Sequence, residues 1–97
     1  NVYEQGCRYG NALQAAAAEG NESVVRFLLE HRAEVNAQGG KYGNALQAAA
    51  YQGSESVVQL LLERGADVNA QGGKYGDARK AALYRGNWSV VRILDEG

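Results

Sequence analysis

The sequence predicts an all-α solenoid in which three helix–turn–helix units stack on one another and are joined by β-hairpin-like fingers. The main observation is a fixed period, because Tyr9, Tyr42 and Tyr75 recur at 33-residue intervals within similar stretches. A period of roughly 20–50 residues indicates a stacked repeat array. Each unit also pairs an Ala-rich segment with a Val- and Leu-rich one. We expect units at residues 8–40, 41–73 and 74–97, with residues 1–7 as part of a preceding finger.

The first segment of each unit is predicted to be a thin inner helix. In the second unit it follows Asn44, a favoured N-cap, and Gln47 lies three residues later. That spacing resembles a capping box, in which the two side chains satisfy free backbone N–H groups reciprocally. Asn11 and Gln14 repeat the arrangement. Gly53 is expected to end the helix, because glycine enters the left-handed region without a steric penalty.

The second segment is predicted to be a bulky outer helix. It runs from about Glu55 to Arg64, with Ser54 as its N-cap and Gly65 as its stop, and Asn21 and Asn87 occupy the N-cap position in the other units. Its apolar side chains cover too much of the circumference for packing on one side only: Val57, Val58, Leu60, Leu61 and Leu62. We therefore expect the outer helices to be buried between neighbours and the array to curve around the smaller inner helices.

Residues 66–76 connect the second unit to the third and are predicted to form a projecting finger. The Gly72-Gly73 pair within them is a strong signal for a hairpin-like turn. Because so short a hairpin is not stable by itself, we expect each finger to pair with the neighbouring one.

The order of residues in the second unit resembles that of an ankyrin repeat. The matching pattern is Leu46-x-x-Ala49-Ala50-x-x-Gly53-x-x-x-Val57-Val58-x-Leu60-Leu61-Leu62-x-x-Gly65-Ala66-Asp67-Val68-Asn69-Ala70. The resemblance extends through the chain and implies an ankyrin-repeat solenoid. It also implies a non-enzymatic module that binds a protein partner through a concave face of finger tips and inner helices.

The chain departs from the common ankyrin pattern at the start of the inner helix. Where many ankyrin repeats carry Thr-Pro-Leu-His, this chain has Asn44-Ala45-Leu46-Gln47 and Asn11-Ala12-Leu13-Gln14, and Tyr42-Gly43 takes the place of the usual finger-exit glycine. This variant resembles the arrays attached to fungal NACHT-type (STAND) signalling receptors.

The two ends of the array differ in character. Polar residues replace buried types in the last unit: Arg79, Lys80 and Asp95 align with Leu46, Gln47 and Leu62. Burying Arg79 or Asp95 unpaired would be costly, so we expect them to face solvent on a C-terminal cap, with ordinary drift of a decaying repeat as the alternative. Asn1-Val2-Tyr3 aligns with the middle of a finger, which suggests a C-terminal fragment of a longer protein with an uncapped, apolar N-terminal face.

Composition argues against several classes of partner. The net charge of −1 offers no general attraction for nucleic acid or anionic membrane, and no apolar stretch reaches the length of a membrane span. Cys7 is the single cysteine and cannot form an internal disulfide, which favours an intracellular, cytoplasmic location.

The sequence contains no recognisable catalytic constellation, so we expect neither an enzyme nor a cofactor or metal site. His31 is the only histidine, and its position near the end of an outer helix favours a polar group at the helix C-terminus over a catalytic base. Cys7 aligns with finger-tip glycines, which favours an accidental replacement over a nucleophile.

The candidate binding residues form two groups, the finger-tip residues and the inner-helix residues that vary between units while their surroundings stay constant. They occupy the finger tips and the last turn of the inner helices: Arg8, Glu19, Lys41, Tyr42, Tyr51, Gln52, Lys74, Tyr75, Tyr84 and Arg85. Tyrosine and arginine are frequent in binding hot spots. For the recurring Tyr9, Tyr42 and Tyr75 a structural ladder between fingers is favoured over binding. Trp88 is either a contact on the convex side or a plug over the last repeat.

Two further alternatives remain open from the sequence. The last unit is locally basic, which indicates either a solvated cap face or recognition of an acidic segment. The chain as a whole is interpreted as a binding module, and the alternative is a structural spacer or a self-stacking segment that associates through its N-terminal face.

Overall fold

The computed structural model describes residues 12–39 and 42–96, and this part of the chain contains six helices. The first, α1, covers residues 12–19. The others are α2 (Glu22–Glu30), α3 (Ala45–Gln52), α4 (Glu55–Glu63), α5 (Ala78–Arg85) and α6 (Trp88–Glu96). Helix α3 packs against α5, while α4 packs against both α2 and α6. The helices thus form an inner and an outer layer, which confirms the predicted all-α stack.

The inner helices begin and end where the sequence predicts. Asn44 Oδ1 accepts a hydrogen bond from the Gln47 backbone N–H at 2.9 Å, and Asp77 does the same for Lys80 at 2.8 Å. Gly53 follows α3 with a left-handed backbone (φ 86°), which only glycine adopts without strain. The cap predicted at Asn11 lies outside the described residues.

The second half of the predicted capping box is wrong. The Gln47 side chain does not return to Asn44; it is fully buried, and its Nε2 donates across to the Gly76 carbonyl of the next unit at 3.4 Å. Gln14 makes a similar bond to the Ala37 carbonyl. These glutamines connect a helix to a finger, because a buried amide hydrogen-bonds to the carbonyl that packing brings to it.

Helix α4 is buried between its neighbours α2 and α6, as expected for an outer helix. Val57, Val58, Leu60 and Leu61 of α4 are buried and Leu62 is half-buried. The predicted N-cap residues precede their helices, but their side chains act differently. Asn21 accepts from the Val24 N–H, Ser54 makes no capping bond, and Asn87 donates to the Ala50 and Tyr51 carbonyls at the end of α3.

Two isolated antiparallel bridges close fingers in the described part of the chain, Gly39 to Gly43 between the first and second units and Gly72 to Gly76 between the second and third. Among the described residues no β-bridge joins one finger to the next, so the expected pairing takes another form. A Cβ on Gly73 would collide with the Tyr42 backbone, so the fingers are in close backbone contact there. Asn36 adds two hydrogen bonds to the next unit, at the Gly65 carbonyl and the Asp67 N–H.

The polar substitutions of the last unit face solvent, as predicted for a cap. Arg79 and Asp95 form a salt bridge of 2.8 Å with about half of each side chain exposed, and Lys80 is also exposed. The hydrogen bond and the charge of Asp95 raise the pKa of Arg79. In the part of the chain that the structure describes, no helix has the length and apolar character needed to cross a membrane.

Candidate functional site

Four tyrosines from two units meet on the side of the stack where the fingers join the inner helices. Tyr42 and Tyr75 lie in the two fingers, next to the bridge glycines, and Tyr51 and Tyr84 lie in the last turns of α3 and α5. We refer to Tyr42, Tyr51, Tyr75 and Tyr84 as the tyrosine cluster. Because each helix tyrosine contacts a finger tyrosine, the cluster runs across the boundary between the units.

In the tyrosine cluster, rings from the fingers alternate with rings from the helices, in the order Tyr42, Tyr51, Tyr75 and Tyr84. Tyr51 stacks on Tyr75 with ring centroids 4.8 Å apart and an interplanar angle of 28°. Tyr42 contacts Tyr51 at 5.6 Å, and Tyr75 contacts Tyr84 at 5.1 Å. Aromatic pairs at these distances contribute about 0.5–1.5 kcal/mol each beyond the area they bury. The cluster is therefore held in place before any partner arrives.

The sequence treats the finger tyrosines and the helix tyrosines as separate groups, and the structure joins them. Tyr42 and Tyr75 stack at 6.3 Å, which is consistent with the predicted ladder between fingers, but Tyr51 contacts both of them. Tyr9 lies outside the described residues. A supporting role and an exposed surface are thus properties of one cluster.

Exposure differs strongly along the cluster. Tyr42, Tyr51 and Tyr75 are half-buried, whereas 67% of Tyr84 is exposed. Within the cluster, Tyr84 therefore offers the largest exposed aromatic surface, and its ring packs against the ring of Tyr75.

The phenol of Tyr75 is protonated at neutral pH. A side-chain hydrogen bond with Tyr51 raises the pKa of Tyr75 to about 12, and burial and the neighbouring phenols act in the same direction. A raised pKa means that the protonated phenol is favoured, because a phenolate here would lose a hydrogen bond and water contacts.

Two cationic side chains lie against the rings. The guanidinium carbon of Arg85 is 4.6 Å from the centroid of Tyr51, and Lys74 Nζ is 5.7 Å from that of Tyr75. Contacts at these distances are cation–π interactions, which orient the side chain while its polar head stays in water. The site thus combines aromatic surface with positive charge at its edge.

Among the described residues, the structure gathers six of the predicted binding residues and places two others outside the cluster. The gathered residues are Tyr42, Tyr51, Lys74, Tyr75, Tyr84 and Arg85. Gln52 and Glu19 are exposed near the ends of α3 and α1, outside the contacts of the cluster. Arg8 and Lys41 lie outside the described residues. Binding by any of these residues stays a prediction.

An open pocket of about 460 Å³ adjoins the cluster, and we call it the α5 pocket. It is lined by Lys74, Tyr75, Lys80, Leu83 and Tyr84. From the sequence, Lys80 belongs to the cap and to the locally basic last unit, and Leu83 is not singled out. The sequence feature that could have identified Leu83 is its departure from the repeat, since it aligns with Ala17 and Ala50.

The remaining candidates have simpler roles. His31 ends α2, where its Nδ1 lies 2.8 Å from the Phe27 carbonyl and its ring stacks on Phe27, in agreement with a polar group at the helix C-terminus. Trp88 is 68% exposed at the start of α6, which does not fit a plug packed over the repeat. Residues 12–39 and 42–96 contain no cluster of histidine, cysteine and carboxylate side chains suited to a metal ion. Cys7 lies outside this part.

The comparisons with known proteins agree with the fold. A family model described as ankyrin repeats (3 copies) matches residues 1–72, which is more than half of the 97 residues. The search of curated proteins gave no match.

Proposed function

This chain belongs to the ankyrin-repeat family, and from that premise we propose that it binds a protein partner through the tyrosine cluster and the adjoining inner helices. Ankyrin repeats are in general protein–protein interaction modules without catalytic activity of their own. The proposal adds the binding face, which corresponds to the concave face of finger tips and inner helices expected from the sequence.

One observation carries this proposal: the exposed ring of Tyr84 rests on a stack of tyrosines that is already ordered. Tyr84 contacts Tyr75 at 5.1 Å and Tyr51 at 6.2 Å. A side chain that is fixed before binding loses little conformational entropy when a partner covers it. Tyrosine also combines a large contact area with a polar hydroxyl, which suits a protein surface.

The test compares two exposed aromatic residues on opposite layers. Tyr84 lies on the inner layer and Trp88 on the outer layer, with 67% and 68% of their surfaces exposed. We expect Tyr84→Ala to abolish enrichment of a partner in quantitative proximity labelling, while Trp88→Ala retains it. Circular dichroism confirms that both variants are folded. Retained enrichment in Tyr84→Ala, or a loss in Trp88→Ala alone, contradicts the proposed face.

Self-association through the N-terminal side is a second candidate function, and the exposure of α2 favours it. Val24 and Phe27 are 40% and 55% exposed, whereas the equivalent Val57 and Leu60 of α4 are buried. A second copy of the chain would cover this apolar face. Sedimentation velocity over a range of concentrations tests it, because Phe27→Asp should abolish a concentration-dependent dimer. A wild-type chain that stays monomeric at high concentration excludes it.

We further propose an intracellular, cytoplasmic location and kinship with the arrays of fungal NACHT/STAND-type receptors. The support is the single Cys7 for the location and the Tyr42-Gly43-Asn44-Ala45-Leu46-Gln47 variant for the kinship. Cell fractionation tests the first, since recovery of the chain in the secreted fraction contradicts it. The coding sequence upstream tests the second, since it should encode a nucleotide-binding switch domain.

A further inference from the structure

Two of the residues that line the α5 pocket stand where the third unit departs from the repeat pattern. Lys80 replaces a glutamine that is buried in the earlier units as Gln14 and Gln47, and Leu83 replaces the buried Ala17 and Ala50. Lys80 and Leu83 are both exposed. Two positions that are buried in the earlier units thus carry an exposed cation and an exposed apolar side chain in the third unit, and both line an open pocket.

Lys80 is positioned by the finger rather than projecting freely. A Cβ placed on Gly76 would lie 3.2 Å from Lys80 Cδ and 3.8 Å from its Nζ, so the side chain lies along the glycine. Gly76 also has φ +95°, a conformation that favours glycine. The ammonium group therefore lies beside Gly76, at the wall of the pocket.

Positive charge around the α5 pocket exceeds negative charge. Among the described residues, no carboxylate forms a salt bridge with Lys74, Lys80 or Arg85. Asp77 is nearby, but one of its oxygens caps α5 and the other accepts from Gln71. Positive groups that outnumber their acidic neighbours attract an anionic ligand and disfavour a cationic one.

The rest of the lining is apolar. Tyr75, Tyr84 and Leu83 contribute ring and methyl surface to a volume of about 460 Å³. Pockets that hold ligands usually measure about 300–1,000 Å³ and combine apolar walls with a few polar groups. An anion without an apolar part would leave these walls exposed to water.

We propose that the α5 pocket binds a peptide segment of the partner in which a carboxylate side chain stands next to a large apolar side chain. The carboxylate lies between Lys74 and Lys80, and the apolar side chain covers Leu83 and the ring of Tyr84. This assignment rests on the proposed function and adds the chemical class of the partner segment. A protein segment is favoured over single-stranded nucleic acid, because no basic stripe continues from the last unit into the first and the net charge of the chain is −1.

The probe is a short fluorescein-labelled peptide in which glutamate and leucine residues alternate, with one serine between each glutamate and the next leucine. Fluorescence anisotropy gives its dissociation constant, and ¹H–¹⁵N chemical-shift mapping locates it on the full chain. Matched peptides carry glutamine for glutamate or serine for leucine. Labelled oligothymidylate is the nucleic-acid probe.

Two variants restore the residues of the earlier units and should leave the fold intact. Lys80→Gln removes one charge pair with a carboxylate of the peptide, so we expect the dissociation constant of the glutamate–leucine peptide to rise about threefold. Leu83→Ala removes apolar contact area, for which we expect a rise of about five- to tenfold. Arg92→Gln on α6 is the control for loss of a charge and should leave the affinity unchanged, since Arg92 is an exposed residue of the outer layer.

The expected result is binding of the glutamate–leucine peptide with shifts at Lys80, Leu83 and Tyr84, and weaker binding of both matched peptides. Equal affinity for the glutamine peptide, shifts confined to other residues, or tighter binding of oligothymidylate overturns the assignment. Failure here is distinguishable from failure of the proposed function. Suppose that Tyr84→Ala abolishes partner enrichment while Lys80→Gln and Leu83→Ala preserve it. The proposed binding face is then supported, and the proposal that the α5 pocket binds an acidic segment is contradicted.

Discussion

The ring of Tyr51, in the last turn of α3, stacks on the ring of Tyr75, in the following finger, with centroids 4.8 Å apart. Tyr75 recurs in every unit, whereas the residue aligned with Tyr51 varies, yet the two rings form a single contact between units. A substitution at either position therefore affects both the stability of the stack and the surface that it offers. This coupling separates Tyr51 and Tyr75 from Tyr84, whose ring is mostly exposed.

The first prediction concerns the alkaline titration of this pair. Tyr75 should titrate near its raised pKa of about 12, against an ordinary value of 10.0, because its proton is held by the hydrogen bond with Tyr51. Ultraviolet absorbance of tyrosinate against pH should show one late-titrating phenol that disappears in Tyr75→Phe. In Tyr51→Phe the late step should move toward 10.0. A late step that is unchanged in Tyr51→Phe contradicts this assignment.

The same shift predicts a direction for stability. Between pH 10 and about 12 the folded state holds a proton that the unfolded state has lost, so the contribution is complete below pH 10 and declines as pH rises toward 12. Urea unfolding at pH 9 and pH 11 measures the loss. Tyr75→Phe, which lacks the proton, should lose less stability between these two pH values than the wild type.

A second prediction concerns the contact between the fingers. Gly73 has φ +69°, and a Cβ there would collide with the Tyr42 backbone, whereas a Cβ on Gly65 (φ +93°) meets nothing within 4 Å. Gly65→Ala should cost about 1–2 kcal/mol of unfolding free energy from backbone strain alone. Gly73→Ala should cost about 1–3 kcal/mol more, because the fingers must separate. Urea denaturation measures both, and equal losses would show that the fingers do not touch.

A third prediction concerns the link between α3 and α6. Asn87 Nδ2 lies 2.8 Å from the Ala50 carbonyl and 2.9 Å from the Tyr51 carbonyl, both at the C-terminal end of α3. Asn87→Ala should lower the unfolding free energy by about 1–3 kcal/mol, because it leaves these carbonyls without their partner. Ser54 occupies the same position in the second unit without a capping bond, so Ser54→Ala should cost about 0.5 kcal/mol or less. Thermal unfolding of the two variants compares them, and similar costs would contradict the assigned role of Asn87.

A fourth prediction concerns the cap. The Arg79–Asp95 salt bridge is half exposed on both sides, so solvent screens it. A double-mutant cycle with Arg79→Ala and Asp95→Ala should give a coupling free energy of about 1 kcal/mol or less. The coupling should decrease further in molar salt. A larger value that resists salt would mean that this surface is covered in solution.

Local patterns in the sequence determined the repeat period, the helix positions and several helix ends. Asn44 and Gln47 are three residues apart, and the hydrogen bond from the Gln47 N–H to Asn44 Oδ1 closes within one turn, so its geometry follows from spacing alone. Gly53 ends α3 for an equally local reason, since its left-handed backbone excludes most other residues. The apolar circumference of α4 likewise predicted burial between two neighbours.

The tertiary structure decided which distant groups meet. In a capping box Gln47 Oε1 would accept from the Asn44 N–H of its own turn, but packing of the next finger brings the Gly76 carbonyl to the side chain, and Nε2 donates to it. The tyrosine cluster arises in the same way, because it requires side chains from two units to converge, whereas the α5 pocket forms within the third unit where its finger meets α5. A repeat pattern specifies contacts within a turn, whereas contacts between units depend on how closely the helices stack. The sequence therefore determined the scaffold and identified the variable residues, and the stacking of one unit on the next made a site from them.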